Sequence, residues 1–478
     1  MLFNSVEFAI FLPIVFVLYW FVMQRNLRLQ NVFLIVVSYI FYGWWDWKFL
    51  FLIGFSTLWD YLIGNIIDKQ EDPTRRKLFL AASVIVNLSL LGFFKYFNFF
   101  IDSFVTAFTF LGYPLEARTL NIILPVGISF YTFQSLSYTI DIYKKKLSPS
   151  KDLISFAAFI SFFPQLVAGP IERAVSLLPQ FQAKRVFEYS QAVNGLRQIL
   201  WGLFKKVVIA DTAAIYVNMI FADVAGYSGS TLMLGVLLFA FQIYGDFSGY
   251  TDIALGVARL FGFELRRNFA FPYFSRNISE FWNRWHISLS SWFRDYVYIP
   301  LGGNRVSLPK QVINIFIVFL LSGLWHGANW TFVVWGLLNA IYIVPLIIFK
   351  KTKEDPEIVA QGKLFPSTKE VLNMTVTFLL TLFAWIFFRA ESITKAFEYI
   401  QGIFRPNFFS IPQILPVSLF IVTIFFFIIE WIGREQEYAI EKLPLRMPKV
   451  VRIGFYYFLL LLIFVFWGNA QQFIYFQF

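Results

Sequence analysis

Residues 309–349 read PKQVINIFIVFLLSGLWHGANWTFVVWGLLNAIYIVPLIIF, two long apolar runs joined by a short polar segment. A helix needs about 20 mostly apolar residues to cross the hydrocarbon core of a bilayer. A membrane β-strand instead needs about ten residues of alternating polarity. The runs at 309–328 and 331–349 are continuous and long, so they predict two membrane-spanning helices.

The same pattern recurs along the whole chain. Hydrophobic residues make up 58% of the 478 residues and charged residues 14%, whereas soluble domains carry about a quarter charged residues. Further spans are predicted at 6–23, 31–47, 49–67, 78–100, 121–142, 152–168, 194–220, 231–261, 371–388, 415–432 and 453–469. Some of these must be tilted or re-entrant, so we predict one all-α membrane domain over residues 1–478 with roughly ten to twelve crossings.

The positive charge is distributed as in membrane proteins. The net charge of +11 lies in short clusters between apolar runs, which argues against a nucleic-acid-binding face. Loops 68–77 and 350–370 are basic and are predicted to be cytoplasmic, whereas segment 112–120 and the last eight residues are poor in Lys and Arg. This asymmetry predicts that both termini lie outside the cytoplasm.

Three features of the sequence restrict the interpretation further. Segment 1–20 is apolar but has no basic n-region and no small-residue cleavage site, so it is predicted to be a retained span. There are no cysteines, which excludes disulfides, Cys-ligated metals and a cysteine acyl-enzyme. Segment 262–305 carries six arginines among many aromatic residues, so it is predicted to pack inside the protein or along the interface.

The chain contains only two histidines, His286 and His326, each in a dense motif beside tryptophan. A neutral imidazole in an apolar pocket is well suited to take a proton from a hydroxyl. If the helix of His326 continued, Ser322 and Asn329 would share its face, and either could hold one ring nitrogen. His326 is therefore a candidate catalytic base, with a satisfied core histidine as the alternative.

The surroundings of the two histidines suggest further roles. Gly323 and Gly327 would let another backbone or a substrate approach His326 closely. For His286 the structural alternative is a network with Arg284, Arg294 and Asp295 in the same charged segment. Zinc requires three or four ligands, and two histidines without cysteine do not supply them, so no metal and no bound cofactor is predicted.

Other polar residues interrupt apolar runs. Asp246 and Asp252 lie at membrane depth, where a carboxylate is functional by default. The alternative is that each pairs with an arginine from 262–305. Gln165 lies in a Pro- and Gly-containing cluster of the kind that lines cavities.

Several motifs occur together in a specific order. They are PVGISFYTFQ at 125–134, FPQLVAGPI at 163–171, DFSGYTDIALG at 246–256, FWNRWHISLSSWFRDYVYIPLGGNR at 281–305 and SGLWHGANW at 322–330. In this order they resemble the bacterial branch of the membrane-bound O-acyltransferase (MBOAT) family, with the alginate O-acetyltransferase subgroup as the best match. The resemblance covers nearly the whole chain.

The resemblance implies a many-helix membrane fold with a central funnel and tunnel. It matches the near-invariant family histidine to His326 and a second family histidine to His286. It also implies an acyl thioester donor, acetyl-CoA from the cytoplasm, and an extracytoplasmic polysaccharide acceptor. A periplasmic or membrane-anchored partner with a serine-based, SGNH-type esterase-like domain and a location in the bacterial inner membrane are implied as well.

We therefore expect acyl transfer from a thioester to a hydroxyl, with His326 as the base. His286 or Asn283 is expected to position substrate or to stabilise the developing oxyanion. The residues expected to bind substrate or to brace the site are Trp282, Ser322, Trp325, Asn329, Gln165, Asp246 and Asp252. Two alternatives stay open at this point: D-alanyl transfer to a cell-wall polymer, and a polysaccharide or lipid transporter.

Overall fold

The computed structural model describes residues 1–113, 119–351, 357–468 and 471–474. In these ranges the chain is helical and contains no β-strand. Parts of segments 112–120 and 350–370, and the last four residues of the chain, lie outside the described residues. The chain divides into two compact units, Met1–Ala192 with Ala258–Leu265 and Val193–Val257 with Arg266–Phe478. The single domain over 1–478 stays a prediction.

The first unit is built from helices of 4 to 20 residues. They are α1 Val6–Val17, α2 Leu27–Gly43, α3 Leu50–Lys69, α4 Pro73–Leu91, α5 Phe97–Phe110, α6 Ile128–Tyr143, α7 Leu153–Ser161, α8 Phe163–Leu166 and α9 Ala174–Gln182. Helix α6 packs against α3 and α4 and is buried over nearly its whole length. At this contact the buried Asp60 carboxylate accepts hydrogen bonds from the Ser83 hydroxyl at 2.8 Å and the Asn87 amide at 3.0 Å.

The second unit holds most of the longer helices. They are α10 Tyr189–Leu203, α11 Thr212–Ala222, α12 Gly229–Leu260, α13 Ile278–Arg284, α14 Ile287–Phe293, α15 Leu308–His326, α16 Trp330–Ile348, α17 Thr368–Arg389, α18 Ile393–Ile403, α19 Val417–Ile432 and α20 Lys449–Phe466. Helices α10 and α12 each have one end in the first unit. Among the helices that could span a membrane, α12 is the most enclosed, because 89% of its most apolar stretch is buried.

Within the described ranges, seven helices are long and apolar enough to cross a membrane. They are Trp47–Lys69, Pro73–Phe110, Gly229–Leu260, Leu308–His326, Trp330–Ile348, Thr368–Arg389 and Lys449–Phe466. Three shorter apolar helices cover Val6–Val22, Leu27–Gly43 and Val417–Ile432. The chain is thus an all-helical, multi-pass membrane protein, whereas the ten to twelve crossings stay a prediction.

Several predicted spans differ from the observed helices. The helix predicted at 121–142 begins only at Ile128, after the left-handed Gly127. The segment predicted at 152–168 is broken at Phe162, where the backbone leaves the helical region with ψ 108°. The segment predicted at 194–220 contains a π-helical stretch, Phe204–Asp211, between α10 and α11. Hydropathy alone does not detect such breaks.

The charged segment 262–305 forms no long helix, as predicted. It contains the short helices α13 and α14, the 3-10 turn Pro272–Phe274 and the π-helical turn Arg294–Tyr298. Arg276 and Arg284 both pair with the buried Glu280 carboxylate, at 3.0 Å each, so charge is neutralised locally. Helix α13 packs against α16 and thereby brings the His286 region to the α15–α16 hairpin.

Helices α15 and α16 pack very closely, because a glycine of each helix faces the backbone of the other helix. A Cβ on Gly323 would lie 2.3 Å from the carbonyl oxygen of Phe332, and one on Gly336 would lie 2.3 Å from that of Phe319. Any side chain at either position would push the helices apart. The predicted close backbone approach at Gly323 is therefore confirmed.

Candidate active site

His326 is the last residue of α15. Gly327 is extended, with φ −164° and ψ 154°, so the helix stops there. Asn329 then caps α16 by accepting a hydrogen bond from the Thr331 amide at 3.0 Å. The prediction that Asn329 shares the helical face of His326 is therefore wrong, because the two residues belong to different helices. Ser322 does lie one turn before His326 on α15 and is buried.

Aromatic rings enclose the imidazole of His326. The ring centroids of Trp335, Trp325 and Phe388 lie 4.9, 5.0 and 5.3 Å from its centroid. The residue is only 2% exposed. Such an enclosure keeps bulk water from the ring, which strengthens every polar interaction made there.

His286 lies between α13 and α14 with a left-handed backbone, φ 45° and ψ 53°. A non-glycine residue in this region costs on the order of 1–3 kcal/mol, and such residues cluster at functional sites. Two backbone hydrogen bonds on either side hold His286 in this conformation. The Ala270 amide donates to the Arg284 carbonyl and the Ile287 amide donates to the Asn268 carbonyl, both at 2.9 Å. Burial lowers the pKa of His286 to about 3, so the imidazole is neutral.

The two histidines lie together. Their ring centroids are 6.5 Å apart, and the Trp325 ring contacts both, at 5.7 Å from His286 and 5.0 Å from His326. The Phe247 ring lies edge-on to His286 at 4.7 Å. We call the buried cluster formed by His286, His326, Trp325, Trp335 and Phe388 the histidine pocket. One small reacting group in this pocket would be within reach of both imidazoles.

Sequence reasoning missed Asn268, the hydrogen-bonding partner of His286. Its Oδ1 lies 3.1 Å from Nδ1 of His286 and also accepts hydrogen bonds from Ser288. Asn268 is fully buried. No periodicity or motif spacing marks this residue, because it lies in an irregular stretch before the 3-10 turn.

The charged partners proposed for His286 form other pairs. Arg284 pairs with Glu280, and the Arg294 side chain lies 2.9 Å from the neighbouring Asp295 carboxylate. The structural alternative for His286, a network with these residues, therefore receives no support from these ion pairs. Asn268 is a hydrogen-bonding partner that the structure places beside Nδ1 of His286.

The remaining predicted residues are spread more widely. Trp282 is buried and donates from Nε1 to Oδ1 of Asn339 at 3.2 Å, which ties α13 to α16. Asn283, the next residue, is exposed. Gln165 belongs to the first unit, where it is buried and donates to the Phe159 carbonyl at 2.8 Å. The roles of all three stay predictions.

The intramembrane carboxylates are ion-paired. Nζ of Lys206 lies 2.7 Å from Asp246 and 2.8 Å from Asp211, and Nζ of Lys205 lies 2.5 Å from Asp252. The sequence-based alternative named an arginine from 262–305 as the partner, but the pairs use two adjacent lysines of the π-helical stretch. Counting the charges of the predicted loops does not identify these two lysines, because both lie inside an apolar run.

A C-terminal segment contributes to the same region. The Ile474 amide donates to Oδ2 of Asp246 at 2.7 Å, and the Phe473 ring lies 6.0 Å from Phe247 and 4.9 Å from Tyr250. Phe473 and Ile474 are both buried. Since Phe247 contacts His286, this segment supports the wall behind the histidine pocket.

The chemistry available to the pocket is that of imidazoles and indoles. Across the described ranges, no group of three His, Cys, Asp or Glu side chains could hold a metal ion. A multi-pass helical protein with two histidines in one buried aromatic pocket has the arrangement expected of an intramembrane enzyme.

Comparison with known proteins identifies the class more closely. The profile described as "MBOAT, membrane-bound O-acyltransferase family" matches residues 144–359, a range that contains both histidines. A "Probable alginate O-acetylase AlgI" of Pseudomonas syringae pv. tomato is 40% identical, over 88% of this chain and 78% of the relative. The chain therefore belongs to the membrane-bound O-acyltransferase family and is an O-acyltransferase.

Two other relatives differ in the substrates that their names give. A "Peptidoglycan O-acetyltransferase" of Helicobacter pylori is 36% identical, over 85% of this chain and 80% of the relative. A "Teichoic acid D-alanyltransferase" of Bacillus subtilis is 30% identical, over 57% of this chain and 70% of the relative. The similarity thus extends to proteins named for two kinds of acyl group.

Proposed function

We propose that this protein transfers an acetyl group from a cytoplasmic thioester, acetyl-CoA, to hydroxyls of an extracytoplasmic polysaccharide. The observation that carries the proposal is the placement of both motif histidines in one buried pocket, 6.5 Å apart. The names of two relatives, for alginate and peptidoglycan, support a polysaccharide acceptor. The protein would act in the bacterial inner membrane.

His326 is the base of the proposed reaction. Its imidazole takes the proton of the acceptor hydroxyl while the hydroxyl oxygen attacks the carbonyl carbon of the thioester. The C–S bond then breaks, and the proton is passed to the departing sulfur, so that a thiol and an ester are formed. No cysteine exists to form an acyl-enzyme, so direct transfer is the simplest sequence of steps.

The neighbouring residues hold this geometry. His286 positions the acceptor, and Trp325 separates and orients the two imidazoles. The ion pairs of Asp246 and Asp252 fix α12 to the lysine-bearing π-helical stretch. Because α12 carries Phe247, which packs edge-on against His286, these pairs brace the histidine pocket.

Transfer across the membrane requires an orientation and an acceptor-side partner. We propose that loop 350–370 is cytoplasmic and that a partner with an SGNH-type domain receives the acetyl group outside. Lys363 is exposed and the chain lacks cysteine, so Lys363→Cys offers a single labelling site. We expect an impermeant thiol reagent to label it only after the cells are opened, and labelling in intact cells would reverse the orientation.

The second candidate is transfer of D-alanine from a carrier-protein thioester. The observation in its favour is the 30% identity to a teichoic acid D-alanyltransferase. The acyl chemistry and the role of His326 would be the same, and only the donor and acceptor would differ.

The two candidates are separated by supplying both donors. The purified protein in lipid nanodiscs is incubated with radiolabelled acetyl-CoA or with a D-alanyl carrier protein. Alginate or peptidoglycan glycan strands serve as acceptors, with and without an SGNH-type partner. We expect label from acetyl-CoA in the polysaccharide, and none with a double variant, His286→Gln with His326→Gln. Discharge of the D-alanyl donor alone would favour the second candidate.

A further inference from the structure

The orientation of the Asn268 amide is determined by its contacts. The backbone amide of Ser288 lies 3.1 Å from Oδ1 of Asn268, and the Ser288 hydroxyl donates to the same oxygen at 2.9 Å. A backbone N–H can only donate, so the atom facing it must be the carbonyl oxygen rather than the amide nitrogen. This oxygen is therefore an acceptor toward every neighbour.

The same oxygen lies 3.1 Å from Nδ1 of His286. Since it can only accept, Nδ1 must carry the proton. A neutral imidazole has a single N–H, so Nε2 then carries the lone pair. Both residues are fully buried, and the Ile287 amide bonds the Asn268 carbonyl at 2.9 Å, so the backbones of the two segments are fixed beside each other.

We propose that Asn268 is a positioning residue that fixes His286 in the Nδ1–H tautomer, so that Nε2 accepts a hydrogen bond from a hydroxyl of the acceptor other than the one that reacts. The assignment of the hydroxyl rests on the proposed function, whereas the tautomer itself does not. A ring with an unprotonated Nε2 has no proton there to donate to a developing oxyanion. His286 was expected either to position the acceptor or to stabilise the oxyanion, and this tautomer fits the first of these two roles.

Burial supports the neutral state that the tautomer requires. The ring is enclosed by Phe247, Phe269, Trp325 and His326. Of these four, His326 is the titratable neighbour. With the pKa of His286 lowered to about 3, the ring does not ionise near neutral pH, and the contact with Asn268 then determines that Nδ1 carries the proton.

Nitrogen NMR tests this directly, because the chain has only two histidines. The full-length protein is labelled with ¹⁵N-histidine and reconstituted in lipid bilayers, and His326→Gln identifies the signal of His286 by elimination. We expect a protonated Nδ1 and an unprotonated Nε2 for His286. A protonated Nε2 in the parent protein would overturn the proposal.

Two variants complete the experiment. Asn268→Leu removes the acceptor, and we expect the His286 signal to lose its pure Nδ1–H character. Ser288→Ala is the matched control, because Oδ1 keeps the backbone donor and the tautomer should stay unchanged. An unaltered His286 signal in folded Asn268→Leu would contradict the proposal, and if that variant fails to fold, the parent spectrum still decides. If the tautomer is as expected but no polysaccharide is acetylated, only the proposed function fails.

Discussion

Replacing His326 by glutamine tests the proposed base with little change in volume. Glutamine keeps a hydrogen-bonding group at the end of α15, but it cannot take a proton at neutral pH. The variant should still insert, because Gly323 and the rest of the α15–α16 contact are untouched. The change therefore separates proton transfer from the packing of the histidine pocket.

The size of the effect follows from the enclosure of the ring. The 2% exposure of His326 and the rings of Trp325, Trp335 and Phe388 leave little room for a water molecule to replace the base. Removal of a general base costs a factor of about a hundred to ten thousand. We expect the acyl transfer rate to fall at least about a hundredfold, which corresponds to roughly 2.7 kcal/mol of lost barrier reduction.

The assay measures three quantities for each variant. They are abundance in the membrane, binding of the acyl donor and the rate of polymer acetylation. His286→Gln is the matched control, because it places the same side chain at the other histidine. We expect normal abundance and donor binding for His326→Gln with a large loss of rate, and a smaller loss of rate for His286→Gln.

Three results would refute the reasoning. If His326→Gln acetylates at the parental rate while His286→Gln is inactive, the base is His286. If both variants are fully active, the proposed mechanism is wrong. A loss of rate that tracks a loss of membrane abundance would show instead that His326 acts through folding.

Three further outcomes are expected. Asp246→Ala should lower the free energy of unfolding by on the order of 3–5 kcal/mol, measured in denaturant, because it breaks a buried ion pair; unchanged stability would contradict this. Gly323→Ala should lower the melting temperature, whereas Gly454→Ala, with open space at its Cβ, should not; equal effects would refute the close contact. Asn268→Asp should raise the pKa of His286, because the new carboxylate stabilises the imidazolium. As the solution is acidified, the variant should therefore lose activity at a higher pH than the parent. If both proteins lose activity at the same pH, the result would count against a neutral His286.

Hydropathy predicted the helices correctly wherever a single apolar run folds into a single helix. Helices α15 and α16 follow the predicted segments closely, because each contains enough apolar residues to span a bilayer and begins after a polar residue, Ser307 or Asn329. The lysines at 205 and 206 show why other spans were less accurate. Their charge is cancelled by distant carboxylates, and the π-helical backbone that places them has no signature in hydropathy.

The site was predictable in its histidines but not in its supporting contacts. His286 and His326 stood out because the chain uses histidine nowhere else. Asn329 was placed on the wrong helix because a turn at Gly327 could not be distinguished from a continuing helix. Asn268 could not be predicted from the sequence, because its role depends on a tertiary contact between two irregular segments.

The segment at Phe473 and Ile474 has a consequence for biosynthesis. These residues support Asp246 and Phe247, yet they follow the last described span, α20. The ribosome makes every other part of the histidine pocket before it makes this support. The finished pocket therefore requires that α20 has already been made, so a nascent chain would hold an incompletely supported site until residues 473 and 474 have been added.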